Sequence, residues 1–260
     1  MTYIRQKFEN SVLEITLNRP DKMNSLIEPM AGEFRQALKR AEEQDVRAVL
    51  LRAEGKAFCA GQDLSEVVER SSDPGYELGD TVRGTYNPVI RAIRYLEKPV
   101  ICAVQGTAAG AGANLAFACD ITVASLEAVF VQAFSKIGLI PDSGGTWFLP
   151  RLAGLARANA LYLLDEKLPA ERAVAYGLIY KAVPPEDLES TSNELCKRLA
   201  AMPTKGFGLY KKAINHGLNH TLDEQLESEA DLQSLAGKTE DYKEGVDAFL
   251  NKRKPKYNGR

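Results

Sequence analysis

The stretch from Pro99 to Cys119 carries no charged residue, and this constrains the chain more than any other feature. An uncharged run of this length either crosses a bilayer or lies inside a protein core. Gln105, Thr107, Asn114 and three glycines interrupt it, and alanine stands where a spanning helix would have Leu, Ile or Phe. It therefore reads as a buried strand, Pro99 to Val104, followed by a turn and helix start spelling G-T-A-A-G-A-G-A-N from Gly106 to Asn114. Small residues at this density let another backbone approach closely, and a helix start offers free N–H groups. A ligand cradle and plain tight packing both fit. The segment is neither G-x-G-x-x-G nor a Walker loop, so nucleotide phosphate is not its natural ligand.

Around this run, strands and helices alternate. Leu13, Ile15 and Leu17 alternate as in a half-buried strand, and a turn follows at Asn18 to Asp21. Leu26, Ile27, Met30, Phe34, Leu38 and Ala41 recur at helical spacing, and Val46 to Leu51 is a second apolar strand. Ile121 to Ala124 and Val129 to Val131 are short strands. Helices are expected over 152–164, 170–176, 188–201, 207–215, 222–235 and 240–252. This order implies layered α/β architecture with right-handed crossovers, divided into an α/β core (1–200) and a helical C-terminal segment (201–260).

The chain of 260 residues can bury a substantial core without disulfides. Cys59, Cys102, Cys119 and Cys196 form no C-x-x-C pair, and two lie in apolar runs, so buried reduced thiols and a cytoplasmic location are expected. The first residues lack the apolar core of a signal peptide. Thirty-three basic against 35 acidic residues leave no basic surplus for nucleic acid, and no membrane partner is expected. There are two histidines, His216 and His220, with Gly217 between them and no evident third ligand, so no metal site is expected. Acid–base chemistry would then fall to a carboxylate. The F-C-A-G-Q-D-L turn at Phe58 to Leu64 and the G-L-I-P-D-S-G-G-T-W loop at Gly138 to Trp147 are the remaining candidates. In the second, Asp142 and Ser143 also read as helix caps.

Taken together these motifs resemble the crotonase (enoyl-CoA hydratase/isomerase) superfamily over nearly the whole chain. The matching segments are N-R-P at Asn18 to Pro20 with Asn24, F-x-A-G-x-D-L at Phe58, K-P-V-I-C-A-V-x-G at Lys98, the small-residue helix start, I-P-x-x-G-G-T at Ile140, and the tail from Phe249 to Pro255. The resemblance implies a spiral of ββα units with a helical trimerisation segment, and a homotrimer or dimer of trimers. It implies an acyl-CoA thioester substrate that brings coenzyme A with it, with no metal or redox cofactor. The thioester carbonyl would lie between the N–H groups of Gln62 and Ala111, which would stabilise an enolate. The ADP moiety would pack near Ala60 and Leu64, and Lys252 and Arg253 would hold phosphates; a solvated charge run explains those two equally well.

The departures are as informative. Family hydratases use two glutamates, and the matching positions here are Asn114 and Phe134. Neither side chain moves a proton. Asp142 remains, at a position where several family isomerases carry a catalytic aspartate, and Phe134, Ile140 and Trp147 are expected to raise its pKa by desolvation. The segment from Phe134 to Trp147 especially resembles the ring-1,2-epoxyphenylacetyl-CoA isomerase branch, and Phe134 would suit a flat apolar acyl group or simply pack in the core. The resemblance thus implies isomerisation of an epoxide to oxepin-CoA, or of 3-enoyl-CoA to 2-enoyl-CoA. A hydratase acting through Asp142 alone, a thioester hydrolase and a non-enzymatic binding protein remain open.

Overall fold

The structure, a computed structural model, describes residues 2–260. A hairpin of β1 (Ile4–Glu9) and β2 (Val12–Leu17) opens the chain and forms one edge of a six-stranded sheet. Helix α1 (Glu28–Arg40), with proline in its first turn, leads to β3 (Ala48–Ala53), which pairs parallel with β2. The α2 (Leu64–Arg70), α3 (Leu78–Thr81) and α4 (Asn87–Tyr95) helices fill the next stretch, with a π-helical turn at Val82–Tyr86 between the last two. Strand β4 (Val100–Val104) continues the large sheet. Short β5 (Ala108–Ala109) then starts a second sheet, and α5 (Ala111–Ala118) follows. The pattern repeats: β6 (Ile121–Ser125) joins the large sheet and β7 (Val129–Val131) the small one, parallel to β5. These successive ββα turns match the expected spiral.

The remainder runs through α6 (Gly145–Ala153), α7 (Leu155–Leu163), β8 (Leu168–Pro169), α8 (Ala170–Ala175) and β9 (Lys181–Val183). Strand β9 completes the large sheet in the order β1-β2-β3-β4-β6-β9. Helix α9 (Leu188–Ala200) covers one face of that sheet, meeting Ala48, Leu50, Ile101, Ala103 and Val123. The alternate residues Val49, Leu51, Val100, Cys102 and Val104 point into the main core on the other face. Burial on both faces explains why these strands read as continuous apolar runs. All four cysteines are buried and free.

Two readings of the sequence change. The helix expected over 152–164 is two helices, because Gly154 (φ 81°) ends α6 and starts α7 on a new axis. Strand β1 gave no alternation to detect, since only Ile4 of its six residues is buried.

The C-terminal helices α10 (Thr204–Gly217), α11 (Leu222–Ala236) and α12 (Glu240–Leu250) are tied to the N-terminal ends of the large sheet's strands. The buried Lys211 ammonium donates to Ile93 O, Lys98 O and Asp120 Oδ2 at 3.1, 3.0 and 2.7 Å. Arg47, preceding β3, donates to Met202 O and Tyr257 O. Of α11 only Leu232 is buried. No helix among the described residues is long and apolar enough to cross a membrane.

The small-residue run is explained by contact. A Cβ on Gly112 would sit 2.3 Å from Cys59 O and 2.8 Å from its sulfur, and one on Gly106 would sit 1.9 Å from Lys56 O. Gly112→Ala should therefore destabilise the fold by about 1–3 kcal/mol through overpacking. Gly32→Ala, within α1 and with nothing within 4 Å of its would-be Cβ, should stabilise it by about 0.4–1 kcal/mol. Urea midpoints for the two variants, moving in opposite directions at constant slope, are the check.

Candidate active site

The F-C-A-G-Q-D-L turn is held in place by the N-R-P segment. Arg19 Nη1 donates to Asp63 Oδ2 at 2.6 Å and to Ser25 Oγ and O at 2.8 and 3.1 Å, in a pair whose side chains are only 14% and 11% exposed. Asn24, fully buried, donates through Nδ2 to Glu54 O and Ala57 O and accepts from Arg19 N–H. The backbone completes the staple: Ala60 N–H donates to Met23 O, Leu26 N–H to Gly61 O, and Asp63 N–H to Leu26 O. Burial would raise the Asp63 carboxyl, but the hydrogen bonds from Arg19 and Ser65 N–H outweigh it and hold it below its ordinary value. Asp63 also caps α2 through Ser65 N–H at 2.9 Å.

Beside this turn lies the start of α5. Cys59 O accepts from Ala109 N–H at 2.9 Å, so the chain at 57–60 runs alongside β5 and carries Gly61 up to Gly110. Gly61 (φ 88°) approaches so closely that a Cβ there would lie 2.9 Å from Ala109 O and 3.5 Å from Ala111 N. Gly61 thus brings Gln62 beside Ala111, and neither residue's N–H donates to an acceptor among the described residues. Phe134, 7% exposed, closes one side, its ring edge about 3.6 Å from where a Gly110 Cβ would be. The left-handed Ala133 (φ 58°) aims Phe134 there, with Ala133 N–H donating to Asp165.

Asp142 approaches from the Pro141–Gly145 loop. Gly144 is the N-cap of α6, with no side-chain capping bond, so neither Asp142 nor Ser143 serves as a cap. Asn114, fully buried, donates through Nδ2 to Asp142 O at 2.9 Å and accepts from Gln132 Nε2 at 3.2 Å. A Cβ on Gly145 would strike Asn114 Nδ2 at 2.4 Å, so the loop rests directly on this amide. The residue at the first hydratase position therefore holds the aspartate's backbone. Asp142 Oδ1 is buried with no partner, and burial pushes its carboxyl above the ordinary value of 3.8. The nearby Ser143 hydroxyl, itself buried without a hydrogen bond, opposes that shift. Ile140 was expected to contribute to the desolvation, but it is 75% exposed. Burial comes instead from the loop's seat on α5 and from the side where Tyr86 stands. Ser143 adopts φ 49°, a strained conformation for a residue with a side chain.

Ala60 and Leu64 flank the turn, Leu64 exposed at the head of α2. Lys252 and Arg253 follow α12, and the tail returns along that helix to Arg47, at the opposite end of β3 from the turn. Arg253 is engaged by Glu244 and Asp247 at 2.5–2.7 Å, and no described contact joins it or Lys252 to Ala60 or Leu64. His216 and His220 stand 5.7 Å apart by ring centroid, with no cluster of three metal-ligating side chains among the described residues. A larger cavity of about 830 Å³ lies beside Arg47, Lys98 and Thr204, away from Asp142, and carries none of these groups. Sequence reading missed Tyr86 and Glu66, which bring further unpartnered buried oxygens, and the Arg19–Asp63 pair. The apolar stripe of α4 was the available signal for the first of these.

The chain matches the profile of the family described as Enoyl-CoA hydratase/isomerase over residues 7–260. It is 49% identical to the 1,2-epoxyphenylacetyl-CoA isomerase of Escherichia coli K12, with all of each chain covered. It is 45% identical to a protein of Rhodobacter capsulatus named as a probable enoyl-CoA hydratase, over 99% of this chain and 98% of the relative. The crystal structure of an enoyl-CoA hydratase from Polaromonas superposes with a TM-score of 0.93 at 35% identity, covering 98% of this chain and 99% of that one.

Electrostatics gives a first test. An acid whose folded-state pKa is raised contributes stability below its ordinary value of 3.8 and loses it as pH rises through the raised pKa. Asp142→Asn should therefore melt higher than the parent at neutral pH, by about 1.4 kcal/mol per unit of pKa elevation. The difference should close as pH falls toward 4, in paired thermal melts across that range. Arg19→Met, by contrast, strands a buried carboxylate and should cost about 3–5 kcal/mol, read from the same melts.

Proposed function

We propose an acyl-CoA isomerase, and the premise is plain: the chain belongs to the enoyl-CoA hydratase/isomerase, or crotonase, family. One observation carries the reading. Asp142, half-buried, has a buried unpartnered oxygen, its neighbour Ser143 lines the same small cavity as Ala111, and the two hydratase glutamate positions are filled by Asn114 and Phe134. The N–H groups of Gln62 and Ala111 hold the thioester carbonyl. Asp142 takes a proton from C2 of a 3-enoyl thioester, and the electron pair moves onto the carbonyl oxygen as a dienolate. The same carboxyl returns the proton at C4, leaving the 2-enoyl thioester. Each oxyanion donor of this kind is typically worth roughly 10²–10³ in rate. Burial suits the shuttle, because a carboxylate of raised pKa is a stronger base than a solvated one.

The 49% identity to a protein named 1,2-epoxyphenylacetyl-CoA isomerase supports that epoxide, converted to oxepin-CoA, as a substrate. The cavity bordered by Tyr86, Ala111 and Ser143 is about 10 Å³, room for about one water, so acyl-group entry displaces the π-helical segment that carries Tyr86. Ala60 and Leu64 meet the ADP part of coenzyme A, which arrives with the substrate, and no metal or redox cofactor takes part. Lys252 and Arg253 are proposed to meet its phosphates, for which Arg253 would exchange its own carboxylate partners. Exposed Leu222, Phe249 and Leu250 on α11 and α12 support a homotrimer or dimer of trimers, and the proposed compartment is the cytoplasm. The 45% relative named for hydration supports a second reading, in which Asp142 alone activates water.

Asp142→Asn should lower 3-enoyl-CoA to 2-enoyl-CoA conversion by about 10²–10⁴ while acyl-CoA still binds. In the parent enzyme, kcat/KM should rise with pH through a pKa above the ordinary aspartate value of about 3.9. Water addition to a 2-enoyl-CoA by the parent, with no double-bond migration, would favour the hydratase instead.

A further inference from the structure

The π-helical turn at Val82–Tyr86 ends in a side chain that the proton shuttle does not use. Tyr86 is 2% exposed, and its hydroxyl is buried with no hydrogen-bond partner. Leu26, Phe34, Val89 and Ile90 share its small cavity, and Ala111 and Ser143 line the same space. The charges of Glu66 and Asp142 both act on the hydroxyl. Burial first, and those charges second, push its pKa up, so it stays protonated and able to donate.

A buried hydroxyl without a partner is unfavourable, and phenylalanine would fill the same volume without that cost. Glu66 does not relieve it: Glu66 Oε1 accepts from Glu28 N–H, and its other oxygen is unpartnered too. The π-turn is the second, independent sign, because one extra residue in a helical turn re-aims the side chains after it, and such bulges gather at functional sites. A hydrocarbon acyl chain entering here would bury the hydroxyl still more deeply without satisfying it. An oxygen on the acyl group would satisfy it.

We propose that the Tyr86 hydroxyl is a fixed donor to an oxygen carried by the acyl group, so that this site prefers oxygen-bearing acyl-CoA thioesters to plain hydrocarbon ones. The proposal rests on the acyl-CoA reading of the Asp142 site and names its substrate class.

The test uses two unreactive probes that differ by one oxygen, phenylacetyl-CoA and 2-hydroxyphenylacetyl-CoA, titrated calorimetrically into the parent protein and Tyr86→Phe. The parent should bind the hydroxylated thioester about tenfold more tightly, the scale of one net hydrogen bond. In Tyr86→Phe the ratio should fall to about one, with a melting curve showing the fold intact. A ratio near one in the parent overturns the proposal and leaves the acyl-CoA reading standing. So does a preference that survives in Tyr86→Phe, because another group must then hold the oxygen. Failure of both thioesters to bind the parent removes the acyl-CoA reading and this inference together.

Discussion

The contact between Gly112 and Cys59 is the constraint on which the rest of the site depends. With no side chain at Gly112, the first turn of α5 lies directly on the backbone of 57–60. Only at that distance does Cys59 O receive Ala109 N–H, and only then does Gly61 rise beside Ala111. The two free N–H groups are therefore set by packing of main chain on main chain. Donors fixed in this way need little reorganisation when charge develops on an oxygen between them. The buried Arg19–Asp63 pair secures the other side of the same turn, where a side chain rather than a glycine does the holding.

Much of this was legible in the sequence. The uncharged run from Pro99 to Cys119 announced a strand and helix buried on all sides, since α5 has no exposed residue. Alternating apolar strands announced a layered sheet, because parallel strands buried on both faces must be apolar throughout. The even choice at the small-residue run, cradle or packing, turned out to be a false opposition. Gly106 and Gly112 are packing glycines, and the same packing brings Gly61 beside Ala111, where the proposed site lies.

The hidden features depended on contacts between distant segments. Tyr86 and Glu66 lie in a stretch of short helices with a π-turn, whose periodicity breaks too often to show which face is buried. The desolvation of Asp142 was foreseen, but not its source: Ile140, beside it in sequence, points outward, while Asn114 and Tyr86 reach it from elsewhere in the chain. The break at Gly154 was missed because apolar residues continue at helical spacing on both sides of it.

The replacement of two glutamates changes more than the count of acids. A glutamate at position 114 would bring a second negative charge close to Asp142, and each would raise the other's pKa. It would also leave the loop without the amide that now donates to Asp142 O. With asparagine there, the loop gains a donor and no second acid stands at position 114 beside Asp142. Water addition asks a site to orient a water and to deliver both hydroxide and proton across a double bond, which is natural work for two carboxylates. Moving one proton between two carbons of the same acyl group needs only one base that can release what it takes. A half-buried aspartate whose loop rests on that amide suits the second task, which is the one proposed for this chain.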